Sequence, residues 1–145
     1  MSLRRRAREI ALQVLYQLDI DRGDIQEVLD LYWENFRPPQ KAREFGRRLI
    51  EGVRQSQSQI DRLIEDNSEN WTLKRMAMVD RNILRLATFE LLFCPDIPFK
   101  VTLNEAIELA KKFGADDSSA FINGILDKIH SLLASAPNDG QAILT

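Results

Sequence analysis

The amino-acid sequence predicts an all-α protein, and three observations support this fold class. Prolines and glycines divide the 145 residues into segments that are nearly all of helical length. Within these segments apolar residues recur at spacings of three and four, whereas no run shows the alternation and hairpin dipeptides that strands require. Because 44% of the residues are hydrophobic, the chain is long enough to bury a core as one compact domain.

Three helices are expected in the N-terminal half of the chain. The first covers about residues 3–20, where apolar residues recur at the helical spacing. Asp24 and Glu27 form a capping box, which predicts a second helix that ends before two consecutive prolines. A longer third helix is expected over about residues 40–64.

A polar stretch at residues 66–71 separates these helices from the C-terminal half. It lacks periodicity, and we interpret it as a hinge within one domain. A new helical pattern follows at about residues 73–93. Thr102 and Glu105 form the clearest capping box in the sequence, which predicts that the next helix begins there and stops at Gly114.

The last helix is expected to begin after two consecutive aspartates, of which Asp116 or Asp117 provides the cap. From residue 135 onward the composition predicts a disordered tail, residues 135–145. The single domain is therefore expected to span residues 1–134, with helical halves at about residues 3–66 and 71–134.

The residue inventory excludes several classes of chemistry. Cys94 and His130 are the only cysteine and histidine, so a disulfide framework, a Cys/His zinc site and a redox CxxC pair are excluded. The six glycines are too scattered for a dinucleotide fingerprint or a phosphate loop. No apolar run reaches the roughly 18 to 20 residues that a membrane span needs. We expect a cytoplasmic protein that is not an enzyme and has no metal, cofactor or membrane partner.

The strongest asymmetry in the sequence is a cluster of arginines near the N-terminus, in a chain whose net charge is −2. The cluster consists of Arg4, Arg5, Arg6 and Arg8. A helical wheel places most of it in one arc with Leu12 and Tyr16, opposite an apolar arc that includes Leu3. Guanidinium groups bind phosphate and an aromatic ring stacks on a base, so this arc is a candidate surface for single-stranded nucleic acid. A solvated helix face is the competing interpretation, and Tyr16 is also typical of a half-buried boundary.

Two residues of the later helices are unusual for their positions. Glu90 shares an apolar arc with Met76, Ile83 and Leu86, where an unpaired charge would be costly. We expect it to be paired with a basic side chain or to accept hydrogen bonds from amides at a helix start. Gly124 costs about 1 kcal/mol relative to alanine inside a helix, which favours a role in close helix packing.

Four stretches, read together, resemble one known family. They are residues 4–8 running into ALQVLY at 11–16, VDRNILR at 79–85, NEAIELAKKFG at 104–114 and FINGILD at 121–127. In this order and spacing they resemble the NusB family of bacterial transcription antitermination factors, over roughly residues 4–133. The last two motifs are highly specific, whereas an arginine run alone is weak.

The resemblance implies a compact bundle of about seven helices in two subdomains and a non-enzymatic role. Members bind the boxA element of nascent ribosomal RNA together with a small-subunit ribosomal protein that acts as Nus factor E, and so act indirectly on the RNA polymerase elongation complex. The resemblance adds three residues at the start of the last helix to the arginines and Tyr16 on the RNA side, namely Asp117, Ser118 and Phe121. It assigns the partner protein to Asp80, Arg81 and Leu84.

Two competing hypotheses follow from the same sequence. A similar helical domain begins some ribosomal RNA cytosine methyltransferases, but those enzymes continue into a cofactor-binding α/β domain that we do not find in this sequence. The other is a homodimer whose interface covers the arginines. The sequence leaves open whether the protein is a monomer or a homodimer.

Overall fold

The computed structural model describes residues 2–21, 23–69 and 71–135, and across these residues it contains seven α-helices, one 3₁₀ turn and no strand. The all-α prediction is therefore confirmed. The expected disordered tail lies outside the described residues, apart from Ser135. The helices are α1 (Leu3–Asp21), α2 (Ile25–Phe36), α3 (Gln40–Gln55), α4 (Gln57–Asp66), α5 (Met78–Phe93), α6 (Phe99–Phe113) and α7 (Ser118–Ser135), and the 3₁₀ turn is Leu73–Arg75.

The predicted third helix is in fact two helices that meet at Ser56. Its backbone angles, φ −109° and ψ 18°, are not helical, so the chain changes direction there. Before the break α3 packs on α1 and α5, and after it α4 packs mainly on α5. The apolar periodicity continues through the break, which explains why the pattern alone predicted one helix.

Both capping-box predictions are wrong, because neither helix has a side-chain hydrogen bond at its N-cap. Asp24 is the N-cap residue of α2 but makes no side-chain cap hydrogen bond. The helix α6 begins at Phe99, because Pro98 is its N-cap, and Thr102 therefore lies inside the helix. The Thr102 hydroxyl donates to Glu90, and the Glu105 carboxylate binds Arg5, so both side chains serve contacts between helices.

The core is one continuous cluster to which both halves of the chain contribute. Helix α5 lies at its centre and packs against α1, α3, α4, α6 and α7. Most of its length is buried on all sides, as expected for a central helix. No helix among the described residues is long and apolar enough to cross a membrane.

The prediction that Gly124 permits close helix packing is wrong. A Cβ atom added there would meet no atom within 4 Å. The glycine that permits a close approach is Gly52 in α3, where an added Cβ would lie 2.2 Å from Cε1 of Phe89. An aromatic ring of α5 therefore packs directly against the backbone of α3.

Candidate nucleic-acid interface

The helix α1 begins immediately before the arginine cluster, and Ser2 caps it. The hydroxyl of Ser2 accepts a hydrogen bond from the backbone N–H of Arg5 at 3.1 Å, and its carbonyl accepts one from Arg6 at 3.1 Å. These contacts start the helix at the point where the positive side chains begin. They place Arg4, Arg5 and Arg6 at an exposed helix end.

The exposed arginines differ in what they already contact. Arg4 lies 3.5 Å from the carboxylate of Asp96, and its guanidinium is 4.7 Å from the centre of the Phe45 ring. Arg5 donates to Glu105 from Nη2 at 2.7 Å and from Nε to both carboxylate oxygens at 3.2 Å. Arg6 makes no ion pair within residues 2–21, 23–69 and 71–135.

Arg8 and Leu12, placed by the helical wheel on the exposed arc, are buried, so this part of the prediction is wrong. Arg8 is 4% exposed and Leu12 is 2% exposed. The reason is that α1 is covered by several helices and buries a wider face than one apolar stripe. Leu3, assigned to the apolar arc, is exposed.

The expected ion pair of Glu90 is confirmed, and Arg8 is its partner. The guanidinium of Arg8 donates from Nε at 2.7 Å and from Nη2 at 2.8 Å, so the two charged groups form a bidentate pair. The hydroxyl of Thr102 adds a third hydrogen bond to this carboxylate at 2.9 Å. Arg8 therefore holds α1 to α5 and is not available to RNA.

A cleft between α1 and α6 continues from the arginine end of α1. Its volume is about 210 Å³, and Arg5 and Glu105 lie at one end. Further along, Nζ of Lys112 binds the carboxylate of Glu9 at 2.9 Å, so the two helices run in the same direction beside each other. The hydrogen bond with Arg5 lowers the pKa of Glu105, and the same contact raises the pKa of Arg5. The sequence did not indicate these pairs, because each joins residues about 100 positions apart.

The remaining predicted RNA residues lie on the surface of α1 and at the start of α7. Tyr16 is 38% exposed, Asp117 is exposed and Phe121 is half-buried. Ser118 is buried, and its hydroxyl accepts a hydrogen bond from the N–H of Ala115 at 3.0 Å. The backbone carbonyl of Asp117 accepts from the N–H of Phe121 at 3.2 Å, in agreement with a position at the helix start.

Trp71 is an exposed aromatic residue at the end of the polar stretch that was predicted to be a hinge. Its ring meets the ring of Phe121 edge to face, with centres 6.2 Å apart and planes at 77°. The guanidinium of Arg75 lies 5.6 Å from the centre of the Trp71 ring. Trp71 is 45% exposed, and a tryptophan within a polar stretch is the signal in the sequence that could have drawn attention to it.

The residues predicted to bind the partner protein have different environments. Leu84 is fully buried, so the prediction that it contacts a partner is wrong. Arg81 donates from Nε to Asp19 at 3.2 Å and is only partly exposed. Oδ1 of Asp80 is buried and has no hydrogen-bond partner in the part of the chain that the structure describes.

Asp80 also lies next to Asp117 and Ser118, which were predicted to bind RNA. Burial raises the pKa of Asp80, the Ser118 hydroxyl opposes this effect, and the charge of Asp117 adds to it. The structure therefore joins the predicted partner site and the start of α7 into one region. The described residues contain no group of three or more histidine, cysteine or acidic side chains arranged to hold a metal ion.

Comparison with known proteins identifies the family. The profile of the NusB family matches residues 5–131, most of the chain. The chain belongs to the NusB family. Among curated relatives, the NusB transcription antitermination protein of Geotalea uraniireducens is 55% identical over 141 residues, covering 92% of this chain and 97% of the relative. That of Desulfatibacillum aliphaticivorans is 52% identical over 130 residues, covering 90% and 91%.

Solved NusB structures share the fold. T. maritima NusB superposes with a TM-score of 0.83 at 45% identity and covers 88% of this chain and 90% of that chain. A structure of the antitermination factors NusB and NusE in complex with dsRNA gives a TM-score of 0.83 at 27% identity, covering 91% and 98%. The resemblance in the sequence motifs is confirmed by both kinds of comparison.

Proposed function

We propose that this NusB family member is a non-catalytic transcription antitermination and elongation factor of the cytoplasm. It binds boxA-type single-stranded RNA of nascent ribosomal RNA transcripts together with the small-subunit ribosomal protein known as Nus factor E. The observation that carries the proposal is the family match over residues 5–131. The solved complex of NusB and NusE with dsRNA supports both an RNA and a NusE-type protein as ligands.

The proposed RNA surface contains Arg4, Arg5 and Arg6, and it continues along α1 to Tyr16. Tyr16 follows Arg5 by eleven helical steps, a rise of about 16 Å along α1. Exposed rings stack on unpaired bases, which supports a single strand as the preferred ligand. Phe121 and Asp117 belong to the same proposed surface, whereas Arg8 is excluded by its burial.

The proposed partner surface contains Asp80 and Arg81. Oδ1 of Asp80 is itself buried, so the group of this surface that can donate to a second protein is the partly exposed guanidinium of Arg81. Because Asp80 lies beside Ser118, the RNA and the partner protein would meet at the start of α7. This proximity supports joint binding of the two ligands.

A salt titration with boxA-like RNA tests the RNA surface. We compare the wild type with the double variant Arg5→Ala, Arg6→Ala and with a control double variant, Arg47→Ala, Arg62→Ala, in α3 and α4. Each lost phosphate contact reduces the magnitude of the log-log salt slope by about 0.7 for a single strand. We expect a shallower slope and weaker binding only in the first variant.

Two outcomes would contradict the proposed surface. Equal slopes for both double variants would remove the N-terminal arginines from RNA binding. A double-stranded competitor that displaces the probe as well as a single-stranded one would identify a duplex as the ligand.

A further inference from the structure

The rings of Trp71 and Phe121 form a corner at the edge of the proposed RNA surface. Their planes meet at 77°, so a flat group that lies against one ring presents its edge to the other. Phe121 is half-buried and supports the corner, whereas Trp71 is the more exposed of the two. We refer to these two residues as the aromatic corner.

The backbone holds Trp71 in a fixed position although its ring is exposed. The N–H of Trp71 donates to the carbonyl of Ser68 at 3.3 Å, and the hydroxyl of Ser68 donates back to the carbonyl of Trp71 at 2.8 Å. Ser68 itself is buried. Ser68 therefore holds the backbone of Trp71, which limits the conformational entropy that binding would remove.

Positive charge accompanies the aromatic corner. The 3₁₀ turn that follows it carries Lys74 and Arg75, both exposed, and the guanidinium of Arg75 lies over the Trp71 ring. A ring with an adjacent guanidinium suits a nucleotide, because the base stacks and the phosphate meets a cation. An apolar surface of a protein partner would not require Lys74 and Arg75 beside the ring.

We propose that Trp71 is a base-stacking site that extends the RNA surface beyond Phe121, with Arg75 contacting the phosphate of the same nucleotide. This inference rests on the proposed RNA binding and adds a position to it. The strand would run from the α1 arginines to the start of α7 and end on the aromatic corner. An RNA that reaches the corner therefore binds more tightly than a shorter one.

The test measures the affinity of a series of boxA-like RNAs extended by one to three uridines at either end. The wild type is expected to gain affinity at one particular extension, and Trp71→Ala is expected to lose that gain, roughly five-fold or more. Trp71→Phe keeps a ring and is expected to retain most of it. Phe36→Ala removes an exposed ring from α2 and serves as the matched control.

Fluorescence provides a second readout that a structural role would not produce. The chain has two tryptophans, so Trp33→Phe leaves Trp71 as the only indole emitter. Stacking of a base is expected to quench this emission when the extended RNA binds, and the short RNA is expected to quench it less. Circular dichroism verifies that each variant is folded.

The outcomes separate this inference from the proposed function. If the wild type does not prefer boxA-like RNA, the proposed function fails. If the wild type binds and Trp71→Ala shows the same gain on extension, or no quenching occurs, only the stacking site is overturned. If Trp71→Ala leaves RNA binding intact but weakens binding of Nus factor E, the aromatic corner belongs to the protein partner.

Discussion

Removing the carboxylate of Glu90 provides the sharpest test of how α1 is held to the rest of the fold. Glu90 is 2% exposed and accepts three hydrogen bonds, two from Arg8 and one from Thr102. In Glu90→Ala the guanidinium of Arg8 stays buried without its main partner. A contact of 3.4 Å with Glu105 remains, and the guanidinium still lies 5.6 Å from the centre of the Phe45 ring.

The expected loss of stability is about 3 to 4 kcal/mol. Breaking a buried ion pair by removing one partner costs about 3 to 5 kcal/mol, and the remaining contact with Glu105 reduces that cost. The unsatisfied hydroxyl of Thr102 adds about 1 kcal/mol. For a domain of this size the melting temperature should fall by roughly 10 °C.

The assay is urea unfolding followed by circular dichroism, with a control that removes both charges. In the double variant Arg8→Met, Glu90→Leu, apolar side chains of similar volume replace the pair, and such replacements are often close to neutral. We expect this variant to be more stable than Glu90→Ala. A Glu90→Ala protein within about 0.5 kcal/mol of wild type, or a double variant as unstable as the single one, would refute this reasoning.

Three further predictions concern individual positions. Gly124→Ala should stabilise the protein by about 0.5 to 1 kcal/mol, because an added Cβ has open space there. Gly52→Ala should destabilise the protein, because the added Cβ would clash with a ring of α5. Thermal unfolding measures both effects. Asp80→Asn should stabilise the free protein. Burial raises the pKa of this carboxyl in the folded protein. The stability of the wild type therefore falls as the pH rises above about 4, the pKa of an aspartate in the unfolded chain. The stabilisation by Asp80→Asn should accordingly be larger at pH 7 than at pH 4. Glu105→Gln should steepen the salt dependence of RNA binding by about 0.7, because it releases the arginine that it holds, whereas Glu108→Gln on the same helix should leave the slope unchanged.

The sequence predicted the features that depend on local patterns. The bounds of α1 agree within one residue, because its apolar spacing and the glycine that follows it are both local signals. The pairing of Glu90 followed from a carboxylate in an apolar arc, which is unfavourable unless a partner satisfies it. The partner itself, 82 positions away, could not be inferred from that arc.

The incorrect predictions depend on contacts between distant segments. Thr102 and Glu105 have the spacing of a capping box, but α5 and α1 each supply a partner for one of these side chains. The helical wheel could not predict that Arg8 is buried, because the helices that cover α1 come from later in the chain. Gly124 and Gly52 both lie within helices, and only the packing shows which one faces a ring.

The contacts of the arginines limit how much of RNA binding can come from charge. Arg4, Arg5 and Arg8 each have a carboxylate partner, so a phosphate must displace an existing ion pair at Arg4 or Arg5 and cannot reach Arg8. An exchange of one exposed ion pair for another changes the free energy by less than about 1 kcal/mol. The salt slope of binding should therefore be shallower than four arginines would give, with Arg6 making the clearest contribution. The remaining affinity has to come from base stacking at Tyr16, Phe121 and Trp71 and from the partner protein, whose proposed surface lies beside the start of α7.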